Sequence, residues 1–96
     1  MPLVFEWDLR KARSNLRKHG IRFDEACTVF DDDAAEIFSD EDHSNGEERE
    51  IIVGRSIFGR VLLISFTERS FNRIRIISAR KATRRELKGY EEKINS

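Results

Sequence analysis

One cysteine, Cys27, in 96 residues rules out a disulfide within the chain. No stretch approaches the ~18 consecutive apolar residues of a membrane-spanning helix. The start, Met1-Pro2-Leu3-Val4-Phe5-Glu6-Trp7-Asp8, lacks the basic-then-apolar layout of a secretory leader. A cytoplasmic protein with no membrane contact is the simplest expectation. No phosphate-binding glycine loop, dinucleotide fingerprint or nucleophile elbow is present. His19, Cys27 and His43 have no recognised ligand spacing, so neither a metal nor a cofactor is expected. Net charge is also lacking. Eighteen Lys and Arg balance eighteen Asp and Glu, which counts against a strong non-specific binder of nucleic acid.

What is present is bulk and segregated charge. An apolar fraction of 39%, with seven Phe, one Trp and one Tyr, suffices for one modest core, so residues 1–96 read as a single domain. From Met1 to Phe23 six basic residues face two acids. From Asp24 to Glu50 twelve acids face only Arg49. From Ile51 to Lys88 ten basic residues face Glu68 and Glu86. Such segregation can build a basic face on a neutral molecule.

Periodicity orders the elements as β-α-α-β-β-β-β-α. Val4 to Trp7 is a short strand. Asp8 caps a helix with Leu9, Ala12 and Leu16 on one side, stopped by His19-Gly20. Phe23, Ala26, Cys27 and Phe30 mark a second helix, ended by Asp31-Asp32-Asp33. Ala34 to Phe38, Glu48 to Ser56, Val61 to Thr67 and Arg73 to Ala79 read as strands. Turn chemistry fills Ser39 to Gly46, and hairpins lie at Ser56 to Arg60 and Glu68 to Asn72. Thr83 and Glu86 form a capping box, opening a helix expected to bury Leu87, Tyr90 and Ile94. The expected class is α+β, with an antiparallel sheet, two N-terminal helices and one C-terminal helix on one face.

Strand alternation places Glu47, Arg49 and Arg75 on one sheet face, with Thr67 and Arg69 nearby. A carboxylate among arginines can transfer protons while the arginines neutralise phosphate. The same pattern is also an ordinary cross-strand Glu–Arg lattice. Arg80 falls on the face opposite Arg75 unless a bulge intervenes. Lys18-His19-Gly20 offers a second acid–base group, or simply a helix-terminal histidine.

Taken together, these residues resemble the BrnT family of bacterial toxins. The resemblance rests on Phe5-Glu6-Trp7-Asp8, Lys11, Asn15, Lys18-His19-Gly20, Phe23, Glu25-Ala26 and Val29-Phe30. It continues through Asp42-His43-Ser44, Gly46-Glu47, Arg49, Gly54, Gly59-Arg60, Thr67, Arg69, Arg75 to Arg80, Thr83, Glu86 and Tyr90-Glu91. Asp31-Asp32-Asp33 departs from the proline-containing turn common in relatives. The resemblance implies a RelE-like ribonuclease fold and a type II toxin that cleaves RNA endonucleolytically without a metal. It implies neutralisation by a BrnA-type antitoxin, operator DNA bound only through that complex, and a toxin dimer within a heterotetramer. On this reading Arg49, Arg75 and Arg80 neutralise phosphate, Glu47 or His19 moves protons, and Lys18, Arg60 and Arg69 bind RNA. The alternative is a non-catalytic module that binds nucleic acid or a partner protein.

Overall fold

The structure is a computed structural model that describes residues 2–43 and 47–95, the side chain of His43 excepted. Residues 44–46 of the expected turn-rich loop therefore lie outside the described residues. The elements are β1 (Val4–Glu6), α1 (Leu9–His19), α2 (Phe23–Thr28) with a 3-10 turn at Val29–Asp31, and β2 (Glu36–Ser39). A second 3-10 turn at Glu41–His43 leads to β3 (Glu50–Arg55), β4 (Val61–Ser70), β5 (Arg73–Lys81) and α3 (Arg84–Ile94).

Local chemistry explains the ends. The Asp8 carboxylate accepts the amides of Arg10 and Lys11, capping α1. Gly20 closes α1 at φ 71°, where a side chain would be strained. Thr83 and Glu86 make the reciprocal capping box of α3. After Thr28 the chain tightens into the 3-10 turn Val29–Asp31, so the second helix is shorter than its apolar stripe implied.

The sheet order is β1-β5-β4-β3-β2. Strands β2 to β5 form an antiparallel meander, but β1 runs parallel to β5, with Val4 beside Arg73 and Glu6 beside Arg75. This corrects the expected all-antiparallel sheet. Period-two alternation is the same in either direction, so it cannot report strand orientation.

The main core joins α1 and α2 to one sheet face through Ile21, Phe23, Ala26, Val29, Ile52, Ile64 and Ile76. A smaller cluster of Val53, Val61 and Tyr90, with Leu63 and Leu87 against it, seats α3 on the opposite face. Helices therefore cover both faces, a second correction. Ile51-Ile52-Val53 and Val61-Leu62-Leu63-Ile64 are continuous apolar runs because both their sides are covered. Within α3 Tyr90 is buried and Leu87 half-buried, but Ile94, expected inside, is 47% exposed.

Asp32, the middle of the acidic triplet, is structural. Its carboxylate accepts the Arg55 amide at 2.7 Å, the Ala34 amide at 2.9 Å and the Tyr90 hydroxyl at 2.6 Å. One side chain thus ties the turn after α2 to β3 and α3. Gly54 lies beside this turn. A Cβ there would stand 2.7 Å from the Ala35 Cβ and 2.9 Å from Val29 Cγ1, so only glycine fits this close approach.

Candidate active site

The buried residue of α1 is Asn15, whereas Leu9 and Leu16 are 67% and 43% exposed. Of the side expected from the apolar pattern, Ala12 packs against the main core but Leu9 and Leu16 do not. Beyond Glu6, β1 no longer covers the edge of β5, and Asn15 takes its place. Its Oδ1 accepts the Ala79 amide at 3.0 Å, and its Nδ2 donates to the Ala79 carbonyl at 2.8 Å and the Ile21 carbonyl at 3.0 Å. The amide side chain acts as a one-residue strand, pairing groups that would otherwise be buried and unsatisfied.

Asn15 seats α1 beside an irregularity in β5. Ser65 pairs with Ser78 but Phe66 pairs with Ile76, leaving Ile77 as an extra residue. This bulge shifts the alternation, so Ile76 and Ala79 both face the main core. Arg75, beside Thr67, and Arg80, beside Leu63, consequently share the other face. The bulge that would make them cofacial is present. They still lie at different levels, about 15 Å apart along the strand. A second irregularity leaves Arg69 unpaired in β4, where it reaches Glu47 at 2.8 Å.

The site residues fall into three groups. At the open end of the sheet, Arg75 and Arg73 bind Glu6 at 3.0 and 3.1 Å. Arg73 foremost, with Arg75, holds the Glu6 carboxyl below its usual range. Thr67 is buried beside Arg75. Arg49 immediately precedes β3, its carbonyl accepting the Asp40 amide at 2.8 Å, and by alternation stands on the side of Ile51 and Thr67. The second group lines the seam of α1 with the β5 bulge. Lys11, Ser14, Asn15, Lys18, His19 and Ser78 border a cleft of about 190 Å³. The Lys11 and Arg10 amides hold the carboxyl of Asp8, at the head of this seam, below its usual range, with the charges of Lys11 and Arg75 adding to this. The charge of Arg75 thus reaches the Asp8 end of the seam.

The third group is held elsewhere. Arg60 grips the buried Glu25 with two bonds of 2.8 and 2.6 Å, and Ser56 donates to the same carboxylate at 2.7 Å. This locks the β3–β4 hairpin to α2, at the end of the sheet away from Arg75. Arg80 is bound by Glu86 of α3 at 2.8 and 3.0 Å. Nor does the structure bring His19 to Glu47. His19 flanks the outer edge of β5, whereas Glu47 precedes β3, two strand spacings or about 10 Å across the sheet. Glu6, Lys11, Asn15 and Ser78 had no assigned role from sequence. The parallel β1–β5 pairing and the i, i+4, i+7 spacing of Lys11, Asn15 and Lys18 are the signals that would have found them.

Cys27 is no nucleophile, since burial pushes its thiol up to about 11. Among the described residues no three His, Cys, Asp or Glu side chains gather as a metal site.

The Arg80–Glu86 pair carries a pH prediction. The Arg80 guanidinium first, then the Thr83 amide, holds Glu86 at about 2, below its ordinary 4.5. Its contribution to folding is whole above pH 4.5 and is lost as pH falls from there through about 2. Partial exposure of both groups reduces its size. Thermal melting of wild type should fall across that window more steeply than that of Glu86→Gln. Parallel curves would show that the pair contributes nothing.

A family model described as "Ribonuclease toxin, BrnT, of type II toxin-antitoxin system" matches residues 7–86. The chain belongs to the BrnT family. The fold agrees with the crystal structure of the Brucella abortus ribonuclease toxin, BrnT, at a TM-score of 0.63 and 21% identity. That match covers 88% of this chain and 99% of the Brucella chain. No curated protein matches in sequence. This BrnT-family protein is therefore a ribonuclease toxin of a type II toxin–antitoxin system, with RNA as substrate and an antitoxin as partner. No helix among its described residues is long and apolar enough to cross a membrane.

Proposed function

We propose that this BrnT-family toxin cleaves RNA endonucleolytically and without a metal ion, at the seam between α1 and the β5 bulge. The observation that carries this reading is the meeting of Lys11, Lys18 and His19 with Ser78 in one cleft at the β5 bulge, with Arg75 two residues before the bulged Ile77. In the proposed reaction the ribose 2′-oxygen attacks the adjacent phosphorus and gives up its proton. The bond to the 5′-oxygen breaks, that oxygen takes up a proton, and a 2′,3′-cyclic phosphate remains. Arg75, Lys11 and Lys18 supply the positive charge for the pentavalent transition state. His19 moves the proton. Glu6 orients Arg75. Glu47 holds Arg69, and Arg69 with Arg49 steers RNA onto the open end of the sheet. Arg60 and Arg80 are removed from the reacting phosphate and brace the fold instead.

This reading keeps the rest of the expected biology: a RelE-like toxin of the cytoplasm, silenced by a BrnA-type antitoxin in a heterotetramer that contacts operator DNA through the antitoxin. The test is the pH dependence of cleavage. His19→Gln should remove one limb of the pH–rate profile, while Glu47→Gln keeps its shape. If Glu47→Gln alone removes a limb, proton transfer belongs to the sheet face and the seam assignment is wrong.

A further inference from the structure

Helix α1 carries more charge than the cleft uses. Arg10, Lys11, Arg13, Arg17 and Lys18 are all exposed, and the helix contains no acid. Among the described residues none of these five has an ion-pair partner. Several cations elsewhere are matched: Arg22 with Asp24, Arg60 with Glu25, Arg69 with Glu47, Arg73 and Arg75 with Glu6, Arg80 with Glu86, and Lys93 with Glu36. In a chain of zero net charge, α1 thus gathers five exposed cations with no acid of its own to offset them.

Folding gains from only part of that arrangement, since the helix dipole favours Arg17 and Lys18 in the last turn. Arg10 and Lys11 sit in the first turn, where the helix dipole disfavours cations. Arg10 and Arg13 at i, i+3, and Arg13 and Arg17 at i, i+4, repel as like charges on one helix face. Lys11 and Lys18 turn to the cleft. Arg10, Arg13 and Arg17 instead border a shallow hollow of about 750 Å³ on the solvent side of the helix, with Ser14 and Leu16 between them. The three arginines span about 10 Å along the axis.

We infer that the Arg10–Arg13–Arg17 ridge is a second RNA site, which holds backbone phosphates of the single strand outside the cleavage point. The inference rests on the reading of the seam as the cleavage site, because only there does the ridge flank the reacting phosphate. Guanidinium forks suit phosphate oxygens without reading bases, so the ridge adds affinity and not sequence preference. Its contribution grows with RNA length, since a short substrate fills the cleft alone.

The test is Arg10→Gln/Arg13→Gln/Arg17→Gln against wild type, with 2′-O-methylated single-stranded RNA as an uncleavable probe. Binding is followed by fluorescence anisotropy across a salt series, with a long RNA and with a short one that spans only the cleft. For the long RNA the variant should bind at least about ten-fold more weakly at low salt, and its log–log salt slope should be shallower by about 2. For the short RNA affinity should be unchanged, and so should the melting temperature, because all three side chains are exposed. Equal affinity and slope on the long RNA would overturn the inference. So would equal losses on both RNAs, or unaltered RNA binding with lost affinity for the antitoxin, which would make the ridge a protein interface. Because the probe is not cleaved, the result stands whether or not His19 proves to be the proton-transfer group.

Discussion

Arg75→Ala is expected to lower RNA cleavage by about 10²–10³-fold, the usual effect of losing one transition-state donor. Arg75 bonds Glu6 beside Arg73, and its charge also acts on Asp8 at the head of the α1 seam. Its side chain is about a third exposed, so a phosphate can reach it while Glu6 fixes its direction. Arg75→Lys should recover little, because an ammonium lacks the planar fork that can hold Glu6 through one N–H and offer others to a phosphate. The fold should survive, since the pair is a single, partly exposed ion pair that water and salt screen. Rates measured on purified, folded variants check this, with circular dichroism as control. A folded Arg75→Ala of wild-type rate removes this residue from the chemistry.

Asn15→Leu should have the largest effect on stability. It leaves the Ala79 amide and carbonyl and the Ile21 carbonyl without their partner in a buried setting. Each such group costs about 1–3 kcal/mol, so the loss is about 3 kcal/mol or more, a large share of the ~5–15 kcal/mol available to a domain. For this chain length that lowers the melting temperature by more than about 12 °C. Leu16→Ala, the neighbouring substitution of an apolar residue that is 43% exposed, should cost under about 1 kcal/mol. Melting of the two variants decides the matter. A greater loss from Leu16→Ala would mean that the helix is seated by its apolar stripe and not by the Asn15 bonds.

The contrast between these two residues shows what the sequence could carry. Caps were legible because their chemistry is local: Asp8, Gly20 and the Thr83–Glu86 box all act within a few residues of themselves. The 56–60 hairpin was legible for the same reason, and its ends bond as expected, Ser56 amide to Arg60 carbonyl. Longer-range facts were not. Nothing in Val4 to Glu6 says that the strand runs parallel to one about seventy residues later. Nothing in the pattern of α1 marks Asn15 as the residue that completes a sheet edge. The opposite placement of α3 left a trace in the doubled apolar runs of β3 and β4, which fit a sheet covered on both sides.

For the site, alternation gave the face but not the place across the sheet. It set Glu47, Arg49 and Arg75 together, and it required a bulge for Arg80. The bulge exists, yet Arg80 ends on Glu86 and Arg60 on Glu25 because both arginines find carboxylates that are distant in sequence or across an element boundary. Charge counts alone could not tell these committed arginines from the uncommitted ones of α1.

The most direct measurement on the central claim is the chemistry of the cut ends. Purified toxin, free of antitoxin, is incubated with RNA in excess chelator, and the 3′ ends of the products are identified by mass spectrometry. The account predicts undiminished cleavage and 2′,3′-cyclic phosphate ends, with hydrolysis to 3′-phosphate on longer incubation. Cleavage that stops in chelator and returns with a divalent ion, or products with 3′-hydroxyl ends, would contradict it.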